Sequence, residues 1–427
     1  MKHSDILALL HREVVPAIGC TEPIAVALCV AKATEQLGAL PEHIHVTLSK
    51  NVYKNAMSVG VPGTHMTGLP IAIACGAIAG KSEYQLEVLK DVNDEVVEQA
   101  KQYMKEVPAL IEVDKNAPDV LYIHVEVEAQ GKKAAACIEH EHTCFVEVHT
   151  ARAAHAASPS EHMDDAKQSE LTMREVYDYA MTAPIDDLRF MLDGAKMNKD
   201  AARLSFDGEY GLRLGKMLHD GKLDRMYGTT TFSRILSYTS AACDARMSGA
   251  MVPVMSNSGS GNQGISCSLP VLIYAEETKA DEEQTIRALT LSNLTEIYIK
   301  QSLGRLSALC GCVVASSGSA VGICYLMGGG YEEICMAIKN MIANISGMLC
   351  DGAKPGCSLK VTSGVATAVL SASLAMQHAS AGDDEGIVEH DIDRSIHNLT
   401  RIGREGMKMT DELIVDIMTH KQPSANQ

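Results

Sequence analysis

Three cysteines of the 427-residue chain stand in contexts that suit metal binding. Cys310 ends the sequence LSALC, and Cys350 and Cys357 bracket the six-residue turn DGAKPG. The glycines of this turn allow close backbone approach, so its two thiols can converge, while Cys310 would have to come from a neighbouring helix. The spacing fits neither a zinc ribbon nor a ferredoxin, because there is no C-x2-C pair. On the cysteines alone, a metal site and a set of buried structural thiols are both open.

A second group of residues could bind an anion. Nine consecutive residues without an apolar side chain, SNSGSGNQG over 256–264, follow the sequence Asp244-Ala245-Arg246 and lie between predicted helices. Such a run can direct several N–H groups and hydroxyls at one carboxylate or phosphate. It lacks the Gly-Lys-Ser/Thr ending of a Walker A loop, and a solvated interhelical loop explains it equally well. Its candidate binding residues are Ser256, Asn257, Ser258, Gly259, Ser260, Gly261 and Asn262.

Cys20 occupies a position that favours reactivity. It lies in Gly19-Cys20-Thr21-Glu22-Pro23, between two segments of helical periodicity, and Thr21 can cap the second helix. The unpaired N–H groups and the dipole of a helix start favour a thiolate, so the sequence predicts a lowered pKa for the Cys20 thiol.

Two further polar clusters have both a functional and an ordinary explanation. The segment from Lys50 to Asn55 forms a predicted polar turn after a strand, where small ligands often bind but where plain turns are just as common. A zinc site can be drawn through His140, His142, Cys144 and His149 on a predicted strand, although exposed histidines on a strand are the commoner explanation.

The elements that must position these residues predict an α+β fold. Helical periodicity at 4–17, 22–37, 69–79 and 83–104 surrounds a strand at 43–50. Alternating segments follow at 108–114, 120–129, 133–139 and 144–150, with a turn at Gln130-Gly131-Lys132. After these the strands disappear and helices continue to about residue 420. We therefore predict a mixed α/β domain with a small, largely antiparallel sheet over 1–155, a linker over 156–170 and a mainly helical domain over 171–427.

Composition excludes several classes of protein. The net charge of −17 disfavours nucleic acid and anionic membranes as partners, and 46% hydrophobic residues exclude wholesale disorder. The uncharged run over 307–330 contains Gly, Ser and Cys and lacks a cationic belt, so it predicts a buried helix pair instead of a membrane span.

The rarest and commonest residues predict how the core packs. With no Trp, four Phe, 22 Met and 33 Gly, we expect small side chains and closely packed helices, and from these a homodimer. The N-terminus has no secretory pattern, which together with thirteen cysteines, an odd number, predicts a reduced, cytoplasmic protein.

Four separated motifs in order, GCTEP, MSNSGSGNQG, LSALC and CDG-x4-C, resemble the L-cysteine desulfidase family, which is related to the α chain of iron–sulfur L-serine dehydratases. The resemblance covers residues 8–418. It implies that Cys310, Cys350 and Cys357 bind a [4Fe-4S] cluster with one open iron, and that Cys20 removes the substrate α-proton. Cys312, Cys267 and Cys324 lie outside the matched ligand positions, and Cys312 is the nearest rival to Cys310.

The implied reaction is β-elimination, in which L-cysteine gives hydrogen sulfide and aminoacrylate, and aminoacrylate hydrolyses to pyruvate and ammonia. An open iron can act as a Lewis acid on the leaving sulfur. The loop over 256–264 would hold the substrate carboxylate, with contacts from Asn51, Lys54 and Asn55. An L-serine dehydratase, a non-catalytic iron–sulfur or amino-acid sensor, and a metal-free binding module are the alternatives.

Overall fold

A computed structural model describes residues 1–150 and 171–421. The predicted linker over 156–170 lies outside the described residues. The N-terminal part contains both helices and strands. Its helices are α1 (His3–Glu13), α2 (Thr21–Leu37), α3 (Lys50–Ala56), α4 (Leu69–Ala79) and α5 (Asp94–Glu106), with a 3-10 turn over Ser82–Glu87. Its strands are β1 (Pro16–Ile18), β2 (His43–Ser49), β3 (Gly60–Val61), β4 (Met66–Thr67), β5 (Leu110–Asp114), β6 (Tyr122–Ala129), β7 (Lys132–Glu139) and β8 (Phe145–Thr150).

The five-stranded sheet has the order β5-β2-β6-β7-β8 and is antiparallel except where β2 pairs with β5. This confirms the predicted small, largely antiparallel sheet. Gln130 and Gly131, both with positive φ, form the two-residue turn that joins β6 to β7. One face of β6 presents Ile123, Val125 and Val127 to the core, where the almost wholly buried helix α2 covers the sheet. Helix α4 also packs against α2.

The rest of the described chain is mainly helical, as predicted, although a short strand occurs where none was expected. The helices are α6 (Met173–Thr182), α7 (Ile185–Asp207), α8 (Leu214–His219), α9 (Asp224–Tyr227), α10 (Thr231–Met247), α11 (Gly261–Thr278), α12 (Glu282–Leu303), α13 (Gly311–Leu326), α14 (Tyr331–Ile345), α15 (Cys357–Ala375), α16 (Ile392–Arg401) and α17 (Lys408–Thr419), with a π-helical turn over Ile402–Gly406. The extra strand is β9 (Pro253–Met255), which pairs with β1.

Helix α13 is the centre of the helical part and packs against α11, α12, α14 and α15. The sequence predicted a pair of buried helices over 307–330, which is wrong: the run forms this one helix, followed by a turn. Its small residues allow close packing, because a Cβ on Gly318 would lie 2.4 Å from the carbonyl oxygen of Ser292 in α12. Helix α15 has the length and apolar composition of a membrane span, and it packs against α10, α13 and α14.

The first helix packs with the helical part of the molecule and not with the sheet. Ile6, Leu9 and Leu10 of α1 belong to the same apolar cluster as the buried residues of α7, α11, α12 and α13. The residues of α2 and the sheet form a second cluster. The chain therefore enters the helical core first and then crosses to the sheet through β1, while the predicted domain boundaries stay a prediction.

Close packing of α12 on α13 gives a test of the fold. We expect Gly318→Ala to lower the midpoint of thermal unfolding, because overpacking of a core costs about 1–3 kcal/mol, against roughly 1 kcal/mol gained from helix propensity. Gly406→Ala is the matched control, since a Cβ there meets only Ile402 Cγ2 at 3.8 Å. Circular dichroism melting of both variants makes the measurement, and equal midpoints would contradict the tight contact.

Candidate active site

Main-chain hydrogen bonds place the GCTEP turn beside the polar loop. Strand β1 pairs antiparallel with β9, with Ala17 opposite Val254. Beyond the strands, Ser256 donates from both N and Oγ to the carbonyl of Val15, at 2.9 and 2.6 Å, and Ser258 N donates to Glu13 O at 3.1 Å. Two segments separated by some 240 residues in sequence are thus held in register, and Cys20 follows two residues after β1.

Cys20, not Thr21, is the N-cap of α2, and it makes no side-chain capping bond. The residue is 2% exposed, and its Sγ donates to Glu22 Oε2 at 3.1 Å. The predicted helix-start position is therefore confirmed, while the predicted cap residue is wrong. The thiol donates to its own acidic neighbour, and the N–H of Glu22 in the first turn of the helix lowers the thiol pKa by less than burial and the charge of Glu22 raise it.

The prediction that the Cys20 pKa is lowered is wrong. Burial raises the pKa of the thiol well above its ordinary value, and the negative charge of Glu22 raises it further. The guanidinium of Arg246 acts in the opposite direction but does not outweigh them. The sequence shows that Cys20 is at a helix start, where the dipole lowers a thiol pKa, but it does not show that the thiol is buried. Burial has the larger effect on the pKa of Cys20.

Glu22 is the centre of a buried polar group. Besides Cys20, its Oε2 accepts from Thr21 Oγ1 at 3.1 Å, and its Oε1 accepts from Asn55 Nδ2 at 2.9 Å and lies 3.9 Å from His142 Nε2. Burial opposes ionisation, yet His142 and the bond from Cys20 outweigh it and lower the Glu22 pKa below its ordinary value. Glu22 is consequently a carboxylate that fixes Cys20, Asn55 and His142 around itself.

The polar loop turns most of its side chains inward. Asn257 Nδ2 donates to Asn293 Oδ1 at 3.0 Å, and Ser258 Oγ donates to Glu296 Oε2 at 2.8 Å. With Ser256 bound to Val15, these three predicted substrate contacts use their side-chain donors to hold the loop. Their roles as substrate contacts stay a prediction, and any such contact would have to come mainly from the backbone.

The second half of the loop starts helix α11. Gly259 has a φ of +77°, and a Cβ there would lie 2.9 Å from His142 Nδ1. Ser260 is the N-cap of α11, Gly261 is its first residue, and Asn262 Oδ1 accepts from Arg246 Nη1 at 3.1 Å. His142 from the sheet part and Arg246 from α10 thus meet the loop from two sides.

Glu296 lies beneath the loop on α12 and is fully buried. Burial raises its pKa to about 7, although the positive charge of Lys300 and the bond from Ser258 act against the shift. Its Oε1 has no hydrogen-bond partner among the described residues. A carboxyl group that titrates near neutral pH therefore supports the Ser258 hydroxyl from behind.

Cys310 and Cys350 are brought together by a short antiparallel bridge. Leu309 pairs with Leu349, Cys310 N donates to Met348 O at 2.9 Å, and Cys350 N donates to Ala308 O at 2.7 Å. The neighbouring Cys310 thiol and burial both raise the pKa of Cys350. The bridge confirms that Cys310 comes from a neighbouring element.

Cys357 completes this group as the first residue of α15, and Cys310 is the N-cap of α13. Burial raises the pKa of Cys357, the nearby Cys350 thiol adds to the shift, and Lys354 and Lys360 oppose it. Helix starts and lysines both favour an anionic group at this place.

The three cysteines suit a cluster better than a single ion. Over residues 1–150 and 171–421, no three His, Cys, Asp or Glu side chains converge as the ligands of one metal ion would. In a [4Fe-4S] cluster each thiolate binds a different iron atom, so its ligands surround a volume instead of a point. Three thiols at two helix starts and one turn, with lysines around them, fit an anionic iron–sulfur group.

The other cysteines near the site differ in their surroundings. Cys312 Sγ is 3.4 Å from Cys310 Sγ and 3.1 Å from Met348 Sδ, so it stays the nearest rival ligand. Cys267 Sγ donates to Asn293 Oδ1 at 3.1 Å, and Cys324 lies twelve residues further along α13 than Cys312, about 18 Å at the helical rise. None of Cys267, Cys312 and Cys324 forms a disulfide.

The predicted contacts from the first part of the chain separate into two groups. The segment over 50–55 forms α3 and not a turn. Lys54, 1% exposed, pairs with Asp411 Oδ1, and Asn51 Nδ2 donates to Asp411 Oδ2 at 2.7 Å. Both residues therefore bind α17, whereas Asn55 binds Glu22 and has a buried Oδ1 without a partner among the described residues. Their roles as substrate contacts stay predictions.

The histidines do not lie on one strand face, because His140 and His142 are in the turn between β7 and β8 and His149 is in β8. His140 Nδ1 pairs with Asp119, His149 Nδ1 lies 3.1 Å from Glu147 Oε1, and only His142 points to Glu22. His142 is the functional candidate that sequence analysis underestimated, because its neighbours lie in remote segments. Glu22 and Arg246 were visible in motifs already singled out, but nothing in the sequence marked either as buried.

Sequence comparisons agree on one family. The family described as "Serine dehydratase alpha chain" matches residues 83–416. Relatives named UPF0597 protein include one from Phocaeicola vulgatus, 59% identical over 99% of this chain and 98% of the relative, and one from Bacteroides fragilis, 58% identical over 98% and 99%. A UPF0597 protein from Aeromonas hydrophila is 41% identical over 98% of this chain and 97% of its own.

The depressed pKa of Glu22 predicts a pH-dependent contribution to stability. A carboxyl whose folded pKa lies below the unfolded value of about 4.3 stabilises the fold above that value and loses the effect as the pH falls. We expect Glu22→Gln to lower the thermal midpoint at pH 7 and the difference from the wild type to narrow progressively as the pH falls below about 4.3. Glu83→Gln, at an exposed glutamate, is the control. A difference that is constant with pH would contradict the assignment.

Proposed function

Because the chain belongs to the serine dehydratase alpha chain family, together with the UPF0597 proteins, we propose that it is an iron–sulfur lyase that eliminates hydrogen sulfide from L-cysteine. The products are hydrogen sulfide and aminoacrylate, which reacts with water to give pyruvate and ammonia. The Cα–H and Cβ–S bonds break, the proton passes to a base, and the sulfur leaves with the bonding electron pair.

One observation carries the proposal. Cys20 belongs to the same buried apolar cluster as Cys243 and Cys312, and Cys310 and Cys357 pack against that cluster. The candidate base and two of the candidate cluster ligands therefore pack around one apolar cluster, although they come from the starts of α2, α13 and α15. A substrate there would have its α-proton and its leaving group within reach of different groups of the protein.

The proposed cluster site consists of Cys310, Cys350 and Cys357, whose thiolates would leave one iron free. When bound, such a cluster supplies a Lewis acid that stabilises the negative charge developing on the leaving sulfur. The surrounding lysines and helix starts keep the three thiols in an environment that favours negative charge.

Cys20 is the proposed base for the α-proton. Its thiol donates to Glu22 Oε2, and Arg246 favours the thiolate that has to form before Cys20 can accept the α-proton. The raised pKa makes the thiolate harder to form but also a stronger base, which suits a weakly acidic Cα–H. Glu22, held by Asn55 and His142, keeps the Sγ atom in place.

L-Serine is the alternative substrate, and the description of the matched family favours it. Elimination of water instead of hydrogen sulfide would use the same base and the same Lewis acid. The apolar character of the cluster around Cys20 favours the thiol of L-cysteine over the more polar hydroxyl of L-serine.

We also propose that the protein is cytoplasmic and forms a homodimer. Its partner is a small amino acid, and it binds neither nucleic acid nor a membrane.

Two cysteine variants test the role of the proposed cluster ligands and the role of the proposed base independently. In protein purified without oxygen, we expect Cys350→Ser to abolish both the brown colour and the activity. Cys20→Ala should keep the visible absorption and lose turnover by about 100-fold or more. Cys335→Ser on α14 is the control and should retain both. Full activity of Cys20→Ala would contradict the assignment of the base, even with the cluster intact.

The products identify the substrate. We expect L-cysteine to release sulfide and pyruvate in equal amounts and with higher kcat/KM than pyruvate release from L-serine, because the enclosing surface is apolar. The two products are measured on the same anaerobic samples. A preference for L-serine would replace the desulfidase with a dehydratase, and a colourless protein that is inert after cluster reconstitution would contradict both.

A further inference from the structure

Arg246 is a buried cation that has no counter-ion within the part of the chain that the structure describes. It is 2% exposed at the end of α10, and its Nη1 donates to Asn262. Its Nε and Nη2 have no hydrogen-bond partner among the described residues. A guanidinium withdrawn from water without a carboxylate is costly, and removal of its solvent is normally offset by hydrogen bonds. This arrangement indicates that something else binds the two free N–H donors.

Two other cations that are largely withdrawn from water differ in this respect. Lys54 pairs with Asp411, and Arg305 donates to both oxygens of Glu13, at 2.8 and 3.1 Å. Each has a carboxylate in place. Arg246 instead donates to one neutral amide, that of Asn262, so its positive charge is not balanced as those of Lys54 and Arg305 are.

The guanidinium lies against the start of α11. A Cβ on Gly261 would be only 2.2 Å from Arg246 Nε, so the absence of a side chain lets the guanidinium reach the first turn of this 18-residue helix. The N–H groups of a helix start attract anions, and the planar guanidinium binds carboxylates through two parallel hydrogen bonds. Helix start and unpartnered guanidinium thus form two parts of one anion site.

We propose that Arg246 binds the α-carboxylate of the amino-acid substrate at the start of α11. This inference rests on the proposed function, and it moves the carboxylate contact from the loop side chains to the guanidinium. The side-chain donors of Ser256, Asn257 and Ser258 are already bound within the protein. The two donors of Arg246 are not.

The location agrees with the roles of its neighbours. The positive charge of Arg246 acts on Cys20, which places the two side chains within electrostatic reach of each other. Because the carboxylate is bonded to Cα, a substrate anchored at Arg246 would hold its α-proton on the side of the base. Arg246 is therefore a specificity residue for α-amino acids with a free carboxylate.

Equilibrium binding tests the site without turnover. In the cluster-containing Cys20→Ala protein, calorimetry compares L-cysteine with L-cysteinamide, in which a neutral amide replaces the carboxylate. We expect Arg246→Gln in this background to weaken L-cysteine binding by about 100-fold and to change L-cysteinamide binding less than about threefold. Arg246→Lys should weaken L-cysteine binding to an intermediate extent, because lysine keeps the positive charge but lacks the two parallel N–H donors of the guanidinium. Arg234→Gln, on an exposed arginine of α10, should change neither.

The outcomes separate this inference from the proposed reaction. Binding of L-serine or L-alanine that depends on Arg246, without sulfide release from L-cysteine, would support the carboxylate site and contradict the desulfidase. Sulfide release by the parent enzyme, with equal loss of L-cysteine and L-cysteinamide binding in Arg246→Gln, would contradict only the carboxylate site. Failure of every amino acid to bind when Arg246 is intact would also overturn it.

Thermal unfolding distinguishes a binding role from a structural one. If Arg246 stabilised the folded protein, Arg246→Gln would lower the melting midpoint of the ligand-free protein. Because the structure leaves two donors of a buried charge unpaired, we expect the midpoint to stay equal or rise. A fall of several degrees together with unchanged L-cysteine binding would overturn the inference.

Discussion

The candidate site depends on one stretch of main-chain pairing, in which residues 13–18 run antiparallel to residues 253–258. Backbone hydrogen bonds fix register without regard to side-chain identity, so this pairing places Cys20 beside the start of α11. The helical core holds α1 on one side of the pairing, and the sheet holds α2 on the other. Without the pairing, the base, the loop and Arg246 would belong to unrelated surfaces.

Charge burial then determines what the site can do. The enclosed carboxylate of Glu13 is paired with Arg305, and that of Glu22 accepts hydrogen bonds from Cys20, Thr21 and Asn55. The Cys20 thiol stays neutral because enclosure and Glu22 both disfavour its ionised form. A group that ionises only at the moment of reaction is a strong base, and the enclosing residues keep water from competing for it. Arg246 departs from this pairing, and the departure is what gives it a ligand.

The cysteine group shows how a remote contact replaces a short sequence motif. Cys310 and Cys350 are forty residues apart, yet a single bridge between Leu309 and Leu349 sets them side by side. Cys357 joins them because helix α15 begins there. A C-x2-C pair achieves such convergence locally, whereas this chain uses two helix starts and a turn. Lys354 of that turn and Lys360 of α15 then provide the positive charge that the proposed anionic cluster requires.

The sequence by itself determined the secondary-structure elements and most of the residues of the candidate site. Period-two segments and helical periodicity located the sheet and most helices, since burial of one face imposes those periods on any chain. The motifs identified Cys20, Cys310, Cys350, Cys357 and the loop. Only the tertiary structure decided the Cys20 pKa, the inward bonds of the loop, the attachment of Lys54 to α17, and the meeting of Glu22, His142 and Arg246. Solvation and charge act through space, so their effect on a residue depends on neighbours that the order of the chain does not reveal.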